Sequence, residues 1–417
     1  MVAPCEGRKA FMNILTFNCG SSSLTFKVFS VDPDDTIGVV LSGKAHRVGV
    51  KGSRSSSIEY EQGGVRNSVE IPLDNHGQAA ELVLKKVGEL GITLDCIGHR
   101  WVHAAGHFHT AWIDDALLLQ LKALVPILPV HHPAILRVIY ACRKVLPSLP
   151  EYVTADGAFH STIPACAYTY LLPEDLVKRF GFRKHGFHGL SYRYVVHKTA
   201  EYLGIPLLGS RMVACHLGTG GSSAVAVKDG KSVDTSMGYT ALSGLVMSTR
   251  SGDIDPILTL YLMAVYGYHP DELMDMLNKK SGLLGISGFS SDIRDIIQRI
   301  DKDPQAQLAF DMYVYRLKKY IGSYVAVLGG LDVLVFTDDI GVHNWLVRER
   351  VCRGMDWCGV RLDGEANQRA SGDAIARLDA PDSKVKVLIV PTEEELVIAW
   401  EGLGLMKGMR DVASVCS

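Results

Sequence analysis

Twice along the chain a short apolar run enters a turn of small residues and leaves it as a second apolar run. That repetition limits which folds are open to it. Ile14–Phe17 leads into Asn18-Cys19-Gly20-Ser21-Ser22-Ser23, after which Leu24–Phe29 alternates apolar and polar as a half-buried strand does. Met212–Cys215 leads into His216-Leu217-Gly218-Thr219-Gly220-Gly221-Ser222-Ser223, and Ala224–Val227 runs on to Asp229-Gly230. Two such units in 417 residues point to a duplicated domain, and the length exceeds what one hydrophobic core supports.

Between and after these units lie helical patterns at Gly77–Leu90 and Ala134–Val145, with apolar residues three and four apart. Val333–Phe336 reads as a buried strand, leading into Thr337-Asp338-Asp339-Ile340-Gly341 and then a helix. Val385–Val390 reads as the last strand, and Glu393–Trp400 starts a helix with acids in its first turn. Strands and helices alternate throughout, so the class is α/β. The polar segment Lys51–Asn67 is expected as an exposed hairpin or loop, not as a domain boundary.

With 43 basic against 45 acidic side chains, the net charge of −2 gives no reason to expect nucleic acid or a membrane surface as partner. Met1–Phe11 lacks the apolar core of a signal peptide, and Leu117–Val130 is interrupted by Lys122 and prolines. The nine cysteines are dispersed without CxxC pairing, which suits reduced, mostly buried thiols and a cytoplasmic protein.

Small-residue turns let backbone N–H groups converge on phosphate oxygens, though ordinary hairpins use them too. No GxxxxGK sequence is present, so a P-loop is not the phosphate device. Isolated arginines stand in polar segments: Arg100 after a strand, Arg250 within Ser248–Pro256, and Arg294 beside Asp292 and Asp295. A guanidinium fork matches carboxylate or phosphate oxygens, and two could clamp a transferring phosphoryl group; the plain alternative is surface arginines in turns. His99, His103, His107 and His109 lie close together in sequence without the carboxylate or cysteine spacing of a zinc site. No GxSxG elbow appears.

From Met12 to Gly408 these segments resemble, in order, the acetate kinase family. The matching blocks are Asn18–Ser23, His99-Arg100 with His103, His131 before Pro133, Asp156 with Ala158-Phe159-His160, Gly186–Gly189 and His216-Leu217-Gly218. Asp234–Gly238, Thr249–Pro256, Ser281–Gly285 and Pro391-Thr392 with Glu394-Glu395 complete them. The resemblance implies an α/β, duplicated actin/hexokinase-like (ribonuclease H-like) fold with an active-site cleft between its domains. One domain would span 12–164 completed by 395–417. The other, 165–394, would bind the phosphate partner and form a homodimer. It implies that Arg100 and Arg250 bind the carboxylate and the transferring phosphoryl group. His188 would hydrogen-bond that group, and Asp156 would be the essential carboxylate. Asn18 and Glu394 would hold Mg²⁺ (or Mn²⁺), directly or through water. Val102, Val130, Phe187 and Ala241 would line the acyl pocket. Ser21, Ser23, His216, Gly218, Thr219, Gly220, Asp292, Arg294, Asp338, Asp339 and Gly341 would surround the phosphate partner.

The departures from the family cluster. Where ATP-using members carry Gly-Gly-Ile-Gly-Glu-Asn, this chain has Asp338-Asp339-Ile340-Gly341-Val342-His343. Two carboxylates add bulk and negative charge beside a polyphosphate. The family's usual lysine in the first hairpin is Thr25, and an asparagine of the second phosphate turn is Thr219. These changes resemble the diphosphate-linked branch, which interconverts acetyl phosphate plus phosphate with acetate plus diphosphate. The alternatives are an ATP-linked acetate or propionate kinase and a non-catalytic metabolite-binding member. Further departures are Ala104-Ala105 for paired glycines, Ala241 for a proline of the acyl pocket, and Tyr192 for a histidine.

Overall fold

The computed structural model describes residues 12–50, 55–102, 109–125 and 131–408. His103, Ala104-Ala105, His107, Val130 and the segment before Met12 lie outside the described residues. The chain divides into two compact units, Met1–Ala158 with Glu393–Ser417, and Phe159–Thr392.

The first unit contains β1 (Met12–Cys19), β2 (Ser23–Val31), β3 (Ile37–His46), β4 (Ser57–Gln62), β5 (Val65–Glu70) and α1 (His76–Glu89). It continues with β6 (Cys96–Trp101), β7 (Ala111–Trp112), α2 (Asp115–Ala123), α3 (His132–Val145) and β8 (Glu151–Ala155). Its strands form one sheet in the order β5-β4-β3-β2-β1-β6-β8-β7. The segment expected as an exposed hairpin includes the antiparallel pair β4 and β5. On β2, Leu24, Phe26 and Val28 are buried in alternation with half-buried Thr25 and Lys27, the period of a strand with one face on the core. Helix α1 starts where the Asn75 side chain accepts from the backbone N–H of Gln78.

The second unit begins with α4 (Ala165–Tyr168), α5 (Glu174–Phe180), α6 (Gly189–Leu203), β9 (Arg211–Leu217), β10 (Ser222–Lys228) and β11 (Lys231–Thr235). Helices α7 (Pro256–Tyr266), α8 (Pro270–Lys279), α9 (Gly282–Ser287), α10 (Ile293–Ile297) and α11 (Pro304–Leu328) follow. Then come β12 (Val333–Thr337), α12 (Asp338–His343), α13 (Trp345–Cys352), α14 (Gly364–Arg369), β13 (Ala376–Arg377) and β14 (Lys386–Ile389). The strand order is β11-β10-β9-β12-β14-β13. Successive residues of β9 feed opposite cores. Val213, Cys215 and Leu217 pack towards α11, while Met212 and Ala214 pack towards α6. Both faces of this sheet are therefore covered, which explains why β9 reads as a continuous apolar run. The chain then returns to the first unit with α15 (Glu394–Met406).

The duplication legible in the sequence is visible in the strand order. β3-β2-β1-β6-β8 and β11-β10-β9-β12-β14 are the same arrangement. Each opens on an antiparallel hairpin (β1–β2, β9–β10), and its first strand pairs in parallel with the next one (β1–β6, β9–β12). The segment His216–Ser223, expected as a turn, is strand at both ends, and only Gly218–Gly221 turns. His216 is a strand residue because it pairs with Ser223 on one side and Thr337 on the other. Thr337 ends β12, and α12 starts at once with Asp338. No helix among the described residues is long and apolar enough to cross a membrane.

Candidate functional site

In the first unit the ends of β1, β6 and β8 bring polar side chains to the start of α15. This helix lies close over the sheet because two glycines admit the Tyr152 ring between them. A Cβ on Gly98 would stand 2.4 Å from that ring, and one on Gly402 would stand 2.2 Å from its hydroxyl. The same hydroxyl donates to the carbonyl of Ile398 at 2.8 Å. The seating fixes Glu394 and Glu395, the first residues of α15, beside Asn18 on β1. The Asn18 amide donates to Glu394 at 2.8 Å and to Glu395 at 3.0 Å.

Arg100, on β6, sits at the middle of this cluster. Its Nη1 donates to Oδ1 of Asn18 at 2.9 Å and lies 3.1 Å from Glu394, while Nη2 donates to Asp156 at 2.9 Å. Asp156 is fully buried and follows β8 directly. Burial works against the charge of Arg100, but Asp156, Glu394 and Glu395 outweigh it and raise its pKa above the ordinary arginine value. Among the described residues, three carboxylates surround this one guanidinium.

In the second unit His188 precedes α6 in a left-handed conformation, φ +59°. For a side chain other than glycine this costs about 1–2 kcal/mol, so the surroundings must hold it. Its Nδ1 lies 2.8 Å from the hydroxyl of Ser223, which in turn lies 2.5 Å from the hydroxyl of Tyr192. If Tyr192 donates to Ser223 and Ser223 to Nδ1, the ring proton of His188 stands on Nε2; the reverse chain would put it on Nδ1. The ring stacks at 3.9 Å on His216, whose Nδ1 meets Ser191 at 2.9 Å and whose Nε2 meets Asp338 at 3.0 Å. Asp338 is itself left-handed, φ +62°, and its carboxylate stands where a Cβ on Gly218 would be 2.1 Å away.

Arg250 differs from Arg100. Its Nη1 donates to the carbonyl of Ala241 at 3.2 Å and approaches the sulfur of Met247 at 3.7 Å. Among the described residues no carboxylate pairs with it, and burial alone lowers its pKa. Desolvating an arginine without an anion is costly. Arg294 is already engaged. It forks onto Asp292, the N-cap of α10, with contacts of 2.7–3.1 Å, and lies 3.7 Å from Asp339.

Within each unit the site residues expected from the sequence cluster as follows, the groups of the second unit adjoining one another through Asp338-Asp339 and through the approach of Arg250 to Gly221. Asn18, Arg100, Asp156 and Glu394 stand together. His188, His216, Gly218 and Asp338 form a second group, Arg250 and Ala241 a third, and Asp292, Arg294 and Asp339 a fourth. Ser21 and Ser23 belong to the β1–β2 turn, closed by Gly20 N–H donating to the Ser23 carbonyl at 2.9 Å. In the β9–β10 turn, Thr219 and Gly220 are exposed, and the Thr219 carbonyl accepts from the Ser248 hydroxyl. Val102 and Phe187 are buried, and Gly341 lies in α12. Sequence reasoning missed Ser191, Ser223 and the contribution of Tyr192. The unusual tyrosine, four residues after His188, was the available signal.

One trio of possible metal ligands occurs among the described residues, His99, Cys142 and Glu151, with donor atoms within 4.8 Å. His99 Nε2 lies 2.6 Å from Glu151. Two ligands about 2.1 Å from one tetrahedral zinc stand about 3.4 Å apart, so this contact is a buried hydrogen bond.

The sequence profile of the Acetokinase family matches residues 13–400. The chain belongs to the acetokinase family. Curated acetate kinases agree with it over nearly their whole length. That of Dictyoglomus turgidum is 43% identical over 400 residues, covering 94% of this chain and 96% of that one. The acetate kinase of Bacillus subtilis is 42% identical over 401 residues, covering 94% and 99%. Among solved structures, the acetate kinase of Entamoeba histolytica superposes with a TM-score of 0.84 at 43% identity, covering 95% of this chain and 100% of that one. A propionate kinase from Francisella tularensis does so at 0.84 and 32%, covering 94% and 98%. The two-domain α/β architecture is therefore the actin/hexokinase-like fold of acetokinases, and the chain is a phosphotransferase of that family.

Proposed function

We propose that this acetokinase transfers a phosphoryl group between a short-chain carboxylate, acetate, and a phosphate partner. The observation that carries the reading is Arg250, a largely buried guanidinium with no carboxylate beside it among the described residues. A phosphoryl or carboxylate oxygen is the anion such a site lacks. Its neighbour Ala241, with Val102 and Phe187, would take the acyl methyl. Arg100, held by Asp156, would bind charge developing on the transferring group, and Nε2 of His188 would donate to it. The substrate carboxylate oxygen is itself the nucleophile. It forms the new P–O bond while the bond to the leaving phosphate oxygen breaks, and the leaving group departs with the electron pair. No base is needed, so catalysis is positioning and charge neutralisation.

Asn18, Glu394 and Glu395 offer hard oxygen donors, which suits Mg²⁺ or Mn²⁺. Such an ion, when bound, neutralises phosphate oxygens. The reaction would run in the cytoplasm on small molecules.

For the phosphate partner, the relatives' common name, acetate kinase, favours ATP over diphosphate. A second reading, transfer linked to diphosphate, is favoured by Asp338. Its carboxylate occupies the space beside Gly218 and meets His216, where a bulkier partner's phosphates would approach. Incubation with acetate, Mg²⁺, hydroxylamine and either ATP or diphosphate tests both, since acetyl phosphate is trapped as a hydroxamate. Hydroxamate from ATP supports the first reading. Hydroxamate from diphosphate alone, with ATP use gained by Asp338→Gly, supports the second. None from either sinks the proposal.

A further inference from the structure

Helix α12 carries Asp338 and Asp339 at its start, where His216 meets Asp338 at 3.0 Å and Arg294 lies 3.7 Å from Asp339. Thr337, its N-cap, makes no side-chain capping hydrogen bond, and Asp338 is left-handed. A six-residue helix does not hold such a conformation by itself. A further restraint on its backbone comes from the other end. Arg348, on α13, is fully buried, and its Nη1 donates to the carbonyls of Gly341 and Val342 at 2.9 and 2.8 Å. The remainder of its fork is occupied by Asn367 on α14, through Nε to Oδ1 at 2.7 Å and Nη2 to the backbone carbonyl at 2.9 Å. Asn367 is likewise buried, and its amide donates to the carbonyl of Trp345 at 2.9 Å.

Every hydrogen-bond partner of this guanidinium is neutral. Burial pushes the pKa of Arg348 down to about 10, the mark of a cation taken out of water without an anion. If the position only filled volume, an apolar side chain would do so at lower cost. What an arginine adds is a rigid fork that holds three backbone carbonyls and a side-chain amide oxygen at once, and a positive charge at the negative end of α12.

We propose that Arg348, locked by Asn367, is a positioning residue for the phosphate partner, because it grips the last turn of α12 and so sets where Asp338 and Asp339 stand. The inference rests on the reading that these two aspartates border the phosphate partner. It goes beyond that reading in naming a side chain that touches no substrate.

The test compares wild type with Arg348→Lys, which keeps the charge and loses the fork. KM is measured for acetyl phosphate and for its acceptor, ADP or phosphate, and amide exchange is followed by mass spectrometry on peptides covering 338–343. The expected result is an acceptor KM raised about tenfold, with KM for acetyl phosphate within about twofold, and faster exchange confined to 338–343. Asn367→Ala should give the same pattern more weakly, and it serves if the lysine variant does not fold. Unchanged exchange in 338–343 overturns the proposal. So does equal loss for both substrates with faster exchange throughout β9 and α11, the pattern of general destabilisation. A wild type inactive with both acceptors removes the functional reading, while the exchange comparison still decides whether Arg348 holds α12.

Discussion

Nη1 of Arg250 donates to the carbonyl oxygen of Ala241 at 3.2 Å, and no carboxylate among the described residues reaches that guanidinium. The contact engages the fork with a neutral group and leaves its charge without a carboxylate among the described residues. Replacing Arg250 by alanine is expected to lower kcat/KM for acetyl phosphate by about 10²–10³-fold, the usual cost of losing one preorganised transition-state donor. Thermal stability should hold or rise, because the variant no longer buries an uncompensated cation. Steady-state kinetics together with a melting curve check both; a melt lowered in step with activity would count against the role.

Arg100 and Asp156 should behave in the opposite way. Asp156→Asn removes one charge of a buried pair and leaves Arg100 leaning on Glu394 and Asn18. Breaking such a pair costs about 3–5 kcal/mol, so both stability and kcat are expected to fall. The double variant Arg100→Met with Asp156→Asn should recover part of the stability and none of the activity. Denaturant unfolding of the single and double variants gives the coupling directly.

The two units differ in how much of this could be read from the chain. The β1–β2 and β9–β10 hairpins announced themselves because alternation and small-residue turns are local signals. Arg100, Asp156, Asn18 and Glu394 were named through family resemblance, but their convergence depends on α15 closing over β6 and β8 from the far end of the sequence. The close approach of Gly98 and Gly402 to Tyr152 that makes this possible has no local signature. Asp338 and Asp339 stood out as departures from the family, whereas the left-handed backbone of Asp338 and its contact with His216 required the pairing of β9 with β12. No sequence motif singles out Arg348. Only the packing of α12, α13 and α14 buries it.

The thiols provide a pH test. Burial pushes Cys19, Cys96 and Cys352 from the ordinary value of 9.0 up to about 12. The unfolded chain loses these protons above pH 9 and the folded one keeps them. Their contribution to stability is therefore full below pH 9 and is lost as the pH rises towards 12, by about 1.4 kcal/mol per pH unit for each thiol. Urea unfolding at pH 8 and at pH 10 should show the loss. Alkylation of the native protein at pH 8.5 should label exposed Cys166 and spare these three.

Helix α7 has no buried residue although most of its side chains are apolar. Ile257, Leu258, Leu260, Tyr261, Val265 and Tyr266 are all more than half exposed. An isolated eleven-residue helix of this composition is marginal in water, and a second copy of the chain is the occupant that fits the homodimer implied by the family resemblance. Light scattering is expected to give twice the chain mass, falling to one for Leu260→Asp with Val265→Asp. A wild type that is monomeric at micromolar concentration would remove the homodimer.

The most direct measurement supplies purified protein with acetyl phosphate and Mg²⁺ and offers ADP or inorganic phosphate as acceptor. Acetate released with stoichiometric ATP is expected, and diphosphate formed from phosphate alone would transfer the account to its second reading. Acetyl phosphate left intact with both acceptors would contradict phosphoryl transfer by this chain.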